Sequence, residues 1–177
     1  LEFQGLQTGD LPALAEQLPA VTTLDLSMVG ITTQGSNGFL DAFANLDTLS
    51  ISGNQLASLP GPVLRMRHLQ RLDMQYCDLH SATSLYPLLT RARLRSLDLG
   101  YNEIRAFNPP DFGVLETLDL RYNRLTEWPA GVWQTPQLTM RTSTSSSRGS
   151  SSSMGSIEKC PPFSRITAAE IFIACPL

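Results

Sequence analysis

The sequence predicts an α/β repeat architecture, in which short strands alternate with return segments. Two near copies of one phrase carry that prediction: Leu94-Arg-Ser-Leu97-Asp-Leu99-Gly-Tyr101-Asn102-Glu-Ile104 and Leu115-Glu-Thr-Leu118-Asp-Leu120-Arg-Tyr122-Asn123-Arg-Leu125. Their frame, L-x-x-L-x-L-x-x-N-x-L, recurs upstream: starts fall at 21, 46, 69, 94 and 115, with a next start at 138, spaced by 21 to 25 residues. Beyond that point the frame stops abruptly in a stretch of serine, threonine and glycine.

Taken in order, Asp10 to Leu18 reads as a short helix within an N-terminal partial repeat or cap, residues 1–20. Asp10 is placed to cap it, Pro12 sits in the first turn, and Leu11, Leu14, Ala15 and Leu18 share a face. The repeats follow over 21–138. In the first, Leu24 and Leu26 alternate with Asp25, so both leucines fall on one side of a strand. Val29 stands there in place of the asparagine, and Phe39 to Leu46 has helical spacing. The second copy carries Leu49, Ile51 and Asn54 and runs on to Leu59-Pro60. The third carries Leu72 and Met74, with Cys77 in place of the asparagine. The fourth and fifth are the opening pair, the fifth continuing through Trp128-Pro129 to Val132-Trp133. At each turn a carboxamide can satisfy backbone groups that the turn leaves unpaired.

Leu138-Thr-Met-Arg141-Thr-Ser143 would need apolar residues at 141 and 143 to continue, and has Arg and Ser instead. Residues 139–156 therefore read as a flexible Ser/Thr-rich linker, too poor in apolar surface to offset the entropy of ordering. The tail, 157–177, regains some apolar residues and is expected to be poorly ordered or to fold back as a cap. A cap is wanted because a solenoid's last repeat otherwise exposes its core.

The leucine frame kept in five copies resembles the leucine-rich-repeat family over residues 21–138. That resemblance implies a curved solenoid with parallel strands on the concave face and helices or irregular turns on the convex face. It also implies a role in binding proteins or peptides rather than in catalysis.

Composition narrows the function further. A net charge of −3 and a pI near 5.3 argue against nucleic-acid binding, which normally needs a basic stripe. No apolar run reaches membrane-spanning length. The chain begins without methionine or a secretory signal, as expected of a fragment or processed product. Cys77, Cys160 and Cys175 are too few for a disulfide framework, although Cys160 and Cys175 could pair in an oxidising compartment. No nucleophile elbow, phosphate loop or dinucleotide fingerprint occurs, and Cys77-Asp-Leu-His80 lacks a second pair to complete a zinc site. No cofactor or metal is expected.

Function is therefore sought in columns, where equivalent positions of successive repeats align. The position before the asparagine reads Met28, Gly53, Tyr76, Tyr101 and Tyr122. The position between the strand leucines reads Asp25, Ser50, Asp73, Asp98 and Asp119. With strands about 4.7–4.9 Å apart, the tyrosines form an aromatic stripe beside an acidic row, flanked by Arg71 and Arg121. Tyr76, Tyr101 and Tyr122 are the expected anchors for a protein or peptide partner, and Asp73, Asp98 and Asp119 select a basic one. Asn54, Asn102, Asn123 and Cys77 are expected to be structural, as are Trp128 and Trp133. Two other readings are a spacer fragment of a larger cell-surface repeat protein with an O-glycosylated stalk, and a regulatory region separated from a catalytic domain.

Overall fold

The computed structural model describes residues 1–3, 5, 9–91, 93–142 and 157–158. A strand forms in every copy where one polar residue stands between two apolar ones: β1 (Thr23–Asp25), β2 (Thr48–Ser50), β3 (Arg71–Asp73), β4 (Ser96–Asp98) and β5 (Thr117–Leu120). All five pair parallel and in strict register, so Leu24, Leu49, Leu72, Leu97 and Leu118 form one buried row. Below them lies a single continuous core, to which the return segments contribute Phe39, Phe43, Phe107 and Phe112.

The sheet runs one strand further than the spacing predicts. β6 (Thr139–Thr142) extends it in parallel, with Met140 opposite Leu118 and Arg141 opposite Asp119. This corrects the linker boundary at 139. The step from Leu138 into the strand is one residue shorter than in the other copies, so Met140 and Thr142 fill the two inward positions and both are buried. A seventh strand, β7 (Ile157–Glu158), pairs antiparallel with β6. The rest of the Ser-rich linker and of the tail, and with them the Cys160–Cys175 pairing, lie outside the described residues.

At the other end the helix expected over 10–18 does not form. The isolated segment is too short to offset helix nucleation, and its polar groups find partners in the next repeat instead. The Asp10 carboxylate accepts the Thr32 N–H and hydroxyl, each at 2.9 Å, and Leu18 N–H donates to Ala42 O. Of the expected apolar face, only Leu11 and Leu18 pack against the core; Leu14 is exposed. Leu1, Phe3 and Gly5 meanwhile add a rung ahead of β1: Asp25 N–H donates to Leu1 O, and Phe3 and Gly5 N–H groups donate to Asp25 O and Ser27 O.

Return segments are short and varied: α1 (Asn37–Leu40), α2 (Tyr86–Arg91) and tight 3-10 turns at Gly61–Arg65, Thr83–Leu85 and Val132–Gln134. The strand face is consequently the regular one, and it sets the columns.

The turns after β2, β4 and β5 are each held in place by an asparagine beneath them. The Asn102 Nδ2 donates to the carbonyls of Met74, Leu99 and Gly100, while its Oδ1 accepts the N–H groups of Cys77 and Leu79. Asn54 and Asn123 repeat the pattern one step away on either side of Cys77 and Asn102. These are the backbone groups that a turn under a sheet cannot satisfy internally. Cys77 keeps only half of this role. Its Sγ reaches the Ile51 and Gln75 carbonyls at 3.3 Å, but a thiol offers no carboxamide oxygen to the preceding turn. That turn closes on itself instead: Leu56 N–H donates to Asn54 O, and Ala57 takes a left-handed φ of 53°.

Candidate functional site: the aromatic and acidic columns

The chain must turn sharply after each strand to aim the asparagine side chain inward, and the residue before it makes that turn. Met28, Gly53, Tyr76, Tyr101 and Tyr122 all have positive φ, between 52° and 67°. Glycine adopts this conformation freely, whereas an L side chain there costs about 1–2 kcal/mol. Three tyrosines bear that strain, and their rings are stacked on one another. Tyr76 and Tyr101 lie 4.3 Å apart between centroids with planes at 13°, and Tyr101 and Tyr122 lie 4.2 Å apart at 15°. Such pairs contribute about 0.5–1.5 kcal/mol each beyond buried area, comparable to the strain. The rings remain 55%, 40% and 41% exposed in that order, so the stack is formed before any partner arrives.

The acidic row is also in register: Asp73 faces Asp98 and Asp98 faces Asp119. One oxygen of each carboxylate has a local structural role, accepting the N–H two residues on: Gln75 at 3.1 Å, Gly100 at 2.9 Å and Arg121 at 2.9 Å. Asp25 does the same for Ser27. This local role explains why an aspartate recurs between the strand leucines. Asp98, in the middle, has its pKa pushed up to about 6, first by burial and then by the charges of Asp119 and Asp73, against the opposing pull of the Gly100 N–H and of Arg121.

The two arginines behave differently. Arg121 folds back onto Asp119, its Nε and Nη2 reaching the carboxylate at 2.9 and 2.6 Å, and this bond pushes its pKa up. Arg71 is exposed in the row of polar residues between Thr48 and Ser96 and takes part in none of the ion pairs among the described residues. Arg141 is the cation that the spacing missed: β6 sets it opposite Asp119, at the end of the row.

Trp128 packs partly against the core and meets Trp133 at 5.5 Å, away from both columns; Trp133 is exposed. Burial pushes the Cys77 thiol up to about 12, so it is a neutral spine residue. Among the described residues no group of three or more His, Cys, Asp or Glu could hold a metal ion, and no helix is long and apolar enough to cross a membrane.

Parallel strands in strict register, a buried leucine row and an asparagine spine define a repeat solenoid with its regular face open to solvent. Comparison with known proteins identifies the repeats as leucine-rich repeats. Residues 93–115 and 114–134 match one Leucine Rich Repeat model, and residues 65–82 match a second. Among solved structures it is similar to InlP of Listeria monocytogenes, 27% identical, with a TM-score of 0.55 over 72% of this chain and 36% of that one. It is also similar in fold to an internalin (inlF) of Listeria monocytogenes, 20% identical, with a TM-score of 0.55 over 70% of this chain and 34% of that one. The chain thus spans little more than a third of either structure's length. No curated protein sequence matches it. Leucine-rich-repeat domains generally mediate protein–protein interaction, and the family is generally non-enzymatic.

Proposed function

We propose that the chain is a non-catalytic recognition module that binds a protein or peptide with basic residues on its concave face. The observation that carries this reading is the exposed tyrosine stack. It gathers three large side chains, each with a polar hydroxyl, in one fixed arrangement, so little side-chain entropy is lost on binding. Tyr76, Tyr101 and Tyr122 are the anchors. Asp73, Asp98 and Asp119 select for positive charge, through the oxygens that their local bonds leave over, with Arg121 moderating the far end and Arg71 at the rim.

The test compares immobilised wild-type chain with Tyr101→Ala, which removes the central ring. Proteins captured by the wild type and lost by the variant are then purified and titrated against both. An affinity loss of about tenfold or more, with little change in melting temperature, supports the reading. Equal affinities remove the stack from it.

A further inference from the structure

The aromatic column is interrupted. Reading from β1, it runs Met28, Gly53, Tyr76, Tyr101, Tyr122, with the three rings consecutive and the glycine beside the first of them. Tyr76 has Tyr101 against one face. Its other face looks along the column over Gly53, and it is the most exposed ring of the three, at 55%. The missing side chain leaves a notch two strand spacings wide, about 9–10 Å between the backbones of Met28 and Tyr76. Neighbouring rings in the stack stand 4.2 to 4.3 Å apart, so the notch has the width for one further planar group. The wall opposite Tyr76 is movable: Met28 is 47% exposed, and its Cγ leans to within 2.7 Å of where a Cβ on Gly53 would lie. An unbranched thioether of this kind repacks readily around an incoming group.

The notch opens into a groove of ≈ 860 Å³ whose lining includes Asp25, Asp73 and Asp78 and no basic residue. Among the described residues, the Asp25 and Asp73 carboxylates are bonded by hydroxyls and backbone N–H groups, and no ion pair involves any of the three. A flat slot with an aromatic floor and a carboxylate surround suits a planar cation. We propose that the Gly53 notch receives an arginine side chain of the partner protein, its guanidinium stacked on the free face of Tyr76 and hydrogen-bonded toward Asp73 and Asp78. Guanidinium stacks on aromatic faces and forks onto carboxylates, whereas the ammonium of lysine is compact, strongly hydrated and has no plane. A neutral aromatic side chain would fill the slot and leave the carboxylates unanswered. The proposal deepens the recognition reading by naming the residue type that the concave face selects, and it rests on that reading.

The experiment needs no partner. The full chain, with methionine methyls carbon-13 labelled and tyrosine rings assigned, is titrated by NMR with three capped probes: N-acetyl-arginine amide, N-acetyl-lysine amide and N-acetyl-tryptophan amide. Saturable shifts of the Met28 methyl and Tyr76 ring, tightest for the arginine probe, are expected. In Gly53→Tyr the notch is filled by a fourth ring, in a backbone conformation that Tyr76 already holds, and only the flexible Met28 must swing aside. This variant is expected to weaken the arginine probe about fivefold or more. Asp73→Asn with Asp78→Asn is expected to weaken the arginine probe and leave the tryptophan probe unchanged. Equal or tighter binding of the tryptophan or lysine probe overturns the assignment to arginine. Unchanged arginine binding in Gly53→Tyr, or no saturable shift with any probe, overturns the site itself. Either failure leaves the Tyr101→Ala comparison with a captured partner to stand or fall separately.

Discussion

Asp98 and Asp119 face each other across β4 and β5, residue opposite residue, with like charge. Burial and this repulsion raise the Asp98 pKa from 3.8 to about 6. An acid whose folded pKa is raised binds its proton more tightly in the folded state than in the unfolded one. Stability therefore gains as pH falls from above 6 toward 4, and the penalty is fully present above the folded pKa. We expect Asp98→Asn to stabilise the chain at pH 7.5 by about 1 kcal/mol, a figure reduced for the group's partial exposure, and to have little effect near pH 4. The amide oxygen still accepts the Gly100 N–H. Urea denaturation at the two pH values checks this; an equal effect at both would show that the carboxylate is not strained.

Asn102 ties five backbone groups to one side chain. Asn102→Ala takes the Asn102 bond from the Met74 carbonyl and from the Cys77 and Leu79 N–H groups, while Leu99 O keeps Asn123 and Gly100 O keeps the Tyr76 N–H, and a loss of about 2–4 kcal/mol is expected. Cys77→Val should lie within about 1 kcal/mol of wild type, because Val29 already serves at the same position one end of the spine over. Chemical denaturation of both variants would separate them, and a similar loss in each would contradict the spine's reliance on carboxamides.

The buried thiol gives a chemical prediction. With its pKa near 12, Cys77 carries almost no thiolate at pH 8. In a Cys160→Ser/Cys175→Ser background, a disulfide reagent should label the folded chain at a negligible rate and label it fully once denatured. Rapid labelling in native buffer would mean that the third repeat opens.

Met140 tests the added strand. It is fully buried opposite Leu118, so Met140→Ala is expected to cost about 2–3 kcal/mol. A residue in a flexible linker would tolerate alanine without change. The melting temperature decides between the two.

The repeat was legible because its core is periodic. Leucines at 24, 49, 72, 97 and 118 must be apolar wherever the sheet stacks, so the frame appears in the sequence unaltered. The ends were not legible, for a physical reason. A terminal repeat contacts one neighbour only, so its spacing and residue types are less constrained. Leu138 to Met140 shortens the template by one residue, and Leu1-Glu2-Phe3 enters the template partway through. The short helix at 10–18 had good local signals and lost to partners in the next repeat, which no local pattern reveals. At the candidate site, the tyrosine and aspartate columns could be laid out from spacing alone. Their detailed contacts could not: the stacking angle depends on how the strands twist against each other, and the aspartate bonds to N–H groups two residues on and the left-handed backbone of the aromatic column depend on the exact turn made after each strand.

The tyrosine rings lie 4.2 to 4.3 Å apart, on the inner side of the solenoid's arc. On that side of a bend successive repeats converge, which favours close ring contact. Straightening the solenoid would pull the rings apart before it disturbed the leucine row beneath. The stack thus acts as a brace on the inside of the bend, and its ultraviolet signature is a gauge of the curvature. A load or a partner that opens the arc would loosen the third, fourth and fifth repeats together, with the first yield at Tyr76, which has a ring on one side and only the movable Met28 side chain beyond Gly53 on the other.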